Sequence, residues 1–251
     1  MNIEKRYLER GLPIPERVGG HIPPNYPYHK KQGLMLYKEG IKTVTIVLEG
    51  ATLHGHLYCP DQACGLVVFS HGSGSSRWSP RNNYVAGQLH KKGLGTLLFD
   101  LLTEREDHIY ETRFDIDLLT RRLISTTIWL GLQPGTAHLP LGYFGASTGA
   151  ASALKAASYF GGQIKAVVSR GGRPDLAMDA LPAVSAPTLL IVGEWDHMVI
   201  ELNEKAYEAM RCKRKLEIIP EASHLFEEPG KLEAVADLSA RWFMKWLPLK
   251  D

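Results

Sequence analysis

Cysteine is scarce in this chain: Cys59, Cys64 and Cys212 are the three in 251 residues. An odd number with no C-x-x-C pair excludes a disulfide framework and a cysteine-based zinc site, and it fits a reducing cytoplasm. Charge of one sign is also missing, since 29 Lys and Arg face 27 Asp and Glu for a net charge of +2. Neither a nucleic-acid groove nor an anionic membrane surface is indicated. The basic groups Lys30-Lys31, Lys91-Lys92, Arg121-Arg122 and Lys213-Arg214-Lys215 are local and interleave with no aromatics, which reads as solvated faces and helix ends. No apolar run approaches the length of a membrane helix, and no apolar segment follows the charged start Met1 to Arg6. Neither a membrane span nor an export signal is expected.

What remains is an ordinary globular composition, 44% hydrophobic and 22% charged, with enough apolar material for one large core. Residues 1–40 are polar and punctuated by Pro13, Pro15, Pro23, Pro24 and Pro27, and they read as an N-terminal extension. Residues 41–251 read as one domain. Ile41 to Leu48 and Leu53 to Tyr58 predict a hairpin around Glu49-Gly50, and Gly65 to Ser70 predicts a short buried strand. The pattern then alternates. Helices are expected near Tyr84 to Lys92, Phe114 to Leu132, Thr148 to Tyr159, after Pro174, Ile200 to Met210 and Lys231 to Leu247. Strands are expected at Leu94 to Phe99, Leu139 to Phe144, Ile164 to Ser169, Thr188 to Val192 and Leu216 to Ile219. Such alternation predicts an α/β fold with a mostly parallel sheet of about eight strands and helices on both faces.

Ligands of such sheets bind where the strands end, so chemistry is sought in the residues that directly follow each strand. Gly145-Ala146-Ser147-Thr148-Gly149 has the G-x-S-x-G form of a nucleophile elbow, a strand that turns into a helix around an exposed serine. The glycines permit the sharp turn, and the first N–H groups of the helix are aimed where an oxyanion forms. The other strand ends carry His71-Gly72-Ser73-Gly74, then Gly193-Glu194-Trp195-Asp196, then Ser223-His224. Serine, aspartate and histidine follow one another in the chain order of the α/β-hydrolases.

From about residue 41 onward the chain resembles the α/β-hydrolase superfamily. His71-Gly72-Ser73-Gly74, Asp196 followed by Val199, and His224-Leu225-Phe226 resemble its dienelactone hydrolase branch, and the chain is also similar to hydrolase domains that some bacteria fuse to a phosphoribosyltransferase. It departs from both: dienelactone hydrolases proper carry cysteine where Ser147 stands, and no phosphoribosyltransferase segment lies within these 251 residues. The combined reading is a cofactor-independent serine hydrolase of the cytoplasm that cleaves a small carboxylic ester or lactone through an acyl-enzyme. Ser147 is the nucleophile, His224 the base and Asp196 its orienting carboxylate, with the Thr148 N–H and Ser73 in the oxyanion hole. Asp175, which follows the sixth strand, competes with Asp196, and strand-end order favours Asp196.

Other patterns carry less. Gly72-x-Gly74 has Arg77 where a dinucleotide fingerprint needs a third glycine, and no Walker sequence is present, so no nucleotide cofactor is expected. His54 and His56 alternate on one strand with no third ligand nearby, which reads as surface residues and no metal site. Arg77, Arg81, Arg170 and Arg173 follow the third and sixth strands. Either they bind an anionic part of the substrate, or they pair with Asp100, Glu104, Glu106 or Asp107 and shape a loop. Trp195 is a candidate apolar wall. No long insertion lies between Phe160 and Asp196, so no large lid and a small open pocket are expected. A homodimer, acyl transfer to an acceptor other than water, and a non-catalytic binding protein on a hydrolase fold remain open.

Overall fold

Short apolar runs, among them Leu66–Ser70, Gly95–Phe99 and Thr188–Gly193, are buried along their whole length in a computed structural model that describes residues 40–248. A strand covered on both faces has no solvent side, so it needs no polar alternation. Eight strands form one sheet: β1 (Ile41–Leu48), β2 (Ala51–Tyr58), β3 (Leu66–Ser70), β4 (Gly95–Phe99), β5 (Leu141–Ala146), β6 (Ile164–Arg170), β7 (Thr188–Gly193) and β8 (Arg214–Ile219). Their spatial order is β1-β2-β4-β3-β5-β6-β7-β8. β1 and β2, and β2 and β4, pair antiparallel, while every later pair is parallel.

Helices α1 (Pro80–His90) and α5 (Lys231–Trp246) cover one face; α2 (Ile116–Leu132), α3 (Thr148–Phe160) and α4 (His197–Ala209) cover the other. Neighbouring residues of a strand point to opposite faces, which splits the core in two. Val67, Phe69, Phe144 and Val168 pack with Val85 of α1 and Phe243 of α5. Val68, Tyr143, Val167 and Leu190 pack with Leu123 of α2, Leu154 of α3 and Ala206 of α4. Between β6 and β7 lie only the one-turn 3-10 helices Pro174–Ala177 and Leu181–Ala183, too little to form a helical lid there.

Several boundaries differ from the sequence expectations, each for a local reason. α1 begins at Pro80, four residues before Tyr84, because the Ser79 hydroxyl accepts the Asn82 N–H at 3.3 Å and proline suits the first helical position. α2 begins at Ile116, where the Asp115 carboxylate accepts the Leu118 N–H at 2.9 Å. An unexpected short helix, Glu104–Asp107, is closed by a capping box between Thr103 and Glu106. His56, expected on the surface, is 8% exposed and stands edge-on to the Trp78 ring at 4.4 Å between centroids. Its burial, aided by the Arg77 charge, lowers its pKa to about 4. The expected N-terminal extension lies outside the described residues apart from Gly40. Among the described residues no helix is long and apolar enough to cross a membrane.

Candidate active site

β5 runs into α3 with no intervening loop, and the backbone reverses at one residue. Ser147 is held at φ 50° and ψ −124°, a region that L residues rarely enter. Crowding on either side of it accounts for the glycines. A Cβ on Gly145 would lie 2.4 Å from the Ala150 Cα, and one on Gly149 would lie 2.2 Å from the Ser70 carbonyl oxygen. The turn is tied from several directions: the Ser147 N–H donates to the Arg170 carbonyl at 3.2 Å, and the Ser147 carbonyl accepts the Ala150 and Arg173 N–H groups, each at 3.0 Å. Below it, the Ser152 hydroxyl donates to the Gly149 carbonyl at 3.0 Å, so the 2.7 Å bond between the two buried hydroxyls must be donated by Ser70.

The loops after β7 and β8 are fastened to each other. The Trp195 N–H donates to the Ala222 carbonyl at 3.0 Å, and the Glu221 N–H donates to Glu194 Oε2 at 2.8 Å. Across this seam His224 Nδ1 lies 2.5 Å from Asp196 Oδ2. An ionised carboxylate can only accept, so Nδ1 carries a proton, and in the neutral ring Nε2 then keeps its lone pair. Asp196 stands at the N-cap of α4, yet its side chain caps no helical N–H and is committed to the imidazole. The competing Asp175 is held instead by the guanidinium of Arg173 through two 2.8 Å bonds. The loop after β6 reaches both Ser147 and His224: the Arg173 N–H bonds the Ser147 carbonyl, and a Cβ on Gly171 would stand 3.4 Å from the His224 ring. Among the described residues no hydrogen bond joins the Ser147 hydroxyl to His224 directly.

The loop after β3 closes the other side. A Cβ on Gly72 would lie 3.0 Å from the Ser147 Cβ, and the next amide, Ser73 N–H, donates to the Thr148 Oγ1 at 2.9 Å. Ser73 and Thr148 are therefore neighbours, and this amide is engaged by the Thr148 hydroxyl. The Thr148 backbone N–H stands in the first turn of α3, where no intrahelical acceptor exists.

The arginine candidates divide. Arg77 forms an ion pair with Asp100, which also accepts the Arg77 backbone N–H at 2.8 Å, so this arginine shapes its loop. Arg81 pairs with Glu227 at 2.8 Å, and Arg173 pairs with Asp175. Among the described residues Arg170 has no carboxylate partner and its Nε no hydrogen-bond acceptor: it is 5% exposed, and its guanidinium donates to Asn82 Oδ1 at 3.1 Å. Burial, reinforced by the charge of Arg81, lowers its pKa to about 10. Trp195 is 55% exposed on the rim, next to Asp196. Sequence reasoning missed Arg113, which braces Asp107 and lines a small hollow with His71, Gly72, Ser73 and Gly74. It lies in a one-turn 3-10 helix, Glu111–Phe114, with no motif to mark it.

The strand order, with the antiparallel pair β1 and β2 at one edge, and the one-residue turn into α3 define an α/β-hydrolase fold. The chain belongs to the dienelactone hydrolase family, whose model matches residues 55–247. It is similar to a dienelactone hydrolase from Anabaena variabilis of known crystal structure, 55% identical with a TM-score of 0.81 over 82% of this chain and 98% of that one. It is also 55% identical over 204 residues to a Mycobacterium tuberculosis protein provisionally named a phosphoribosyl transferase. That match takes in 81% of this chain and 46% of the relative, so the chain spans about half the length of the curated relatives it matches. Est1E from Butyrivibrio proteoclasticus shares the fold at 16% identity, with a TM-score of 0.70 over 81% of this chain and 98% of that one.

Proposed function

We propose that the chain is a serine esterase that cleaves a small carboxylic ester or lactone through an acyl-enzyme. The observation that carries this reading is the 2.5 Å bond from His224 Nδ1 to Asp196 Oδ2, which leaves Nε2 as the basic nitrogen of the neutral ring. In the first step Nε2 takes the Ser147 proton as Oγ bonds the carbonyl carbon, and the carbonyl π pair moves onto oxygen. The oxyanion is met by the Thr148 N–H and by the loop bearing Ser73, with the positive end of α3 behind them. Collapse breaks the bond to the alkoxy leaving group, which takes the proton from the imidazolium. Water, deprotonated by Nε2, then attacks the acyl carbon and releases Ser147. The absence of a helical lid between β6 and β7 and the exposed Trp195 suit a short acyl group with an apolar neighbour.

The test is a pre-steady-state assay with p-nitrophenyl acetate, together with labelling by a fluorophosphonate. A burst of nitrophenol stoichiometric with enzyme is expected, and Ser147→Ala should lose both burst and label, with turnover lower by at least about 10³-fold. A folded Ser147→Ala protein that turns over at the wild-type rate ends the serine reading.

A further inference from the structure

The peptide unit between Gly72 and Ser73 is clamped at both ends. Its N–H donates to the Thr148 Oγ1 at 2.9 Å, and its carbonyl lies 2.9 Å from the His71 Nδ1. The His71 ring is fixed in turn, because the Leu101 N–H reaches Nε2 at 3.1 Å. An amide only donates, so Nε2 accepts, and Nδ1 carries the proton that the Gly72 carbonyl receives. Swinging the Ser73 N–H onto a substrate oxygen would therefore strain this clamp and deprive Thr148 of its donor.

The Thr148 hydroxyl offers another route. It has one proton to give and two acceptor sites. It accepts from Ser73, and among the described residues it donates to nothing. Thr148 is 4% exposed and directly follows the elbow serine, and the clamped Gly72 touches that serine on its other side. We propose that the Thr148 side-chain hydroxyl is itself an oxyanion-hole donor, fed by the Ser73 N–H. The Ser73 amide polarises Oγ1, and the Oγ1 proton then bonds the substrate oxygen as it becomes negative. No proton is transferred; the hydroxyl gives a hydrogen bond that strengthens as charge develops. Accepting one hydrogen bond makes a hydroxyl a better donor of the next, and the β-branched side chain has a stiff χ1, so little reorganisation is needed. The inference rests on Ser147 as the nucleophile and adds a specific group to its oxyanion hole.

The experiment compares the full chain with Thr148→Val, Thr148→Ala and Thr148→Ser on p-nitrophenyl acetate, with fluorophosphonate labelling and melting temperature measured alongside. The hydroxyl role predicts that Thr148→Val and Thr148→Ala lower kcat about 100-fold with KM within about twofold, and slow phosphonylation to match, because both steps pass through a charged oxygen. Thr148→Ser should restore turnover to within about fivefold of wild type. Should the valine variant fail to fold, the alanine and serine pair carries the comparison. Unchanged kcat without the hydroxyl makes Thr148 a spectator, and a raised kcat makes it a plug over the Ser73 amide; either overturns the proposal while the wild type still reacts. A wild-type chain that neither hydrolyses the ester nor takes the label overturns the esterase reading, and this inference with it.

Discussion

The Leu101 N–H ends in a histidine. It donates to His71 Nε2 at 3.1 Å, joining the segment just past β4 to the loop just past β3. The ring cannot be charged while that bond stands, and burial pushes its pKa below the usual histidine value in the same sense. His71 is thus a positioning residue for the Gly72–Ser73 peptide. His71→Ala should cost about 1–3 kcal/mol of stability, because it leaves the Leu101 amide buried without an acceptor. It should lower kcat on a short ester more than it raises KM. Urea unfolding and a kcat and KM measurement check both; a drop in stability with kcat untouched would make His71 purely structural.

Asp196→Asn should leave the fold intact and cripple turnover. An amide at Asp196 can donate to Nδ1, which moves the imidazole proton to Nε2 and removes the lone pair that the proposed base needs. The expected loss in kcat is about 10⁴-fold with the melting temperature nearly unchanged. A modest loss of kcat would mean that another group holds His224 in its tautomer.

Stability should fall on acidification through the histidine range. In the unfolded chain His56 titrates near about 6.5, while the folded protein withholds the proton until about 4. The contribution is therefore complete above pH 6.5 and shrinks by about 1.4 kcal/mol per unit as the pH descends toward 4. His71, displaced in the same direction, adds to the slope. Urea midpoints at pH 7.5 and 5.0 should show a smaller difference in His56→Gln than in wild type, by about 2 kcal/mol. Identical pH dependence in the two proteins would refute the buried neutral state of His56.

Asn82 and Arg170 should prove coupled. Asn82→Leu removes the acceptor of a buried guanidinium and is expected to cost about 1.5–3 kcal/mol. The double variant Asn82→Leu with Arg170→Met removes the stranded charge as well and should regain most of that loss. Additive effects in the double-mutant cycle would mean that Arg170 takes its support elsewhere.

The sheet was legible because its strands are short apolar runs bounded by glycine and polar clusters, and because serine, aspartate and histidine follow β5, β7 and β8 in that order. Asp196 and His224 lie 28 residues apart in sequence yet share a hydrogen bond, and strand-end order alone was enough to pair them. Side-chain direction within loops was harder. Nothing local says that Arg77 turns to Asp100, which lies 23 residues on, or that Arg173 turns to Asp175 and not into the crevice. His56 was misread because a histidine alternating on a strand looks solvated until Trp78, from a loop 22 residues on, is laid over it. The capping box at Thr103 and Glu106 was visible in the sequence and was overlooked, being followed by no apolar helix. The bond between Ser73 and Thr148 joins elements 75 residues apart and becomes visible only once β3 and β5 lie side by side.

The backbone at Ser147 has a consequence for how this position can change. A positive φ suits glycine and costs other residues about 1–3 kcal/mol, so Ser147→Gly would remove the hydroxyl and relax the turn in one step. Stability and the proposed chemistry favour opposite residues there. A lineage released from selection for turnover would find its gain in robustness at this serine, and drift to glycine would be the mark of a hydrolase that has stopped working.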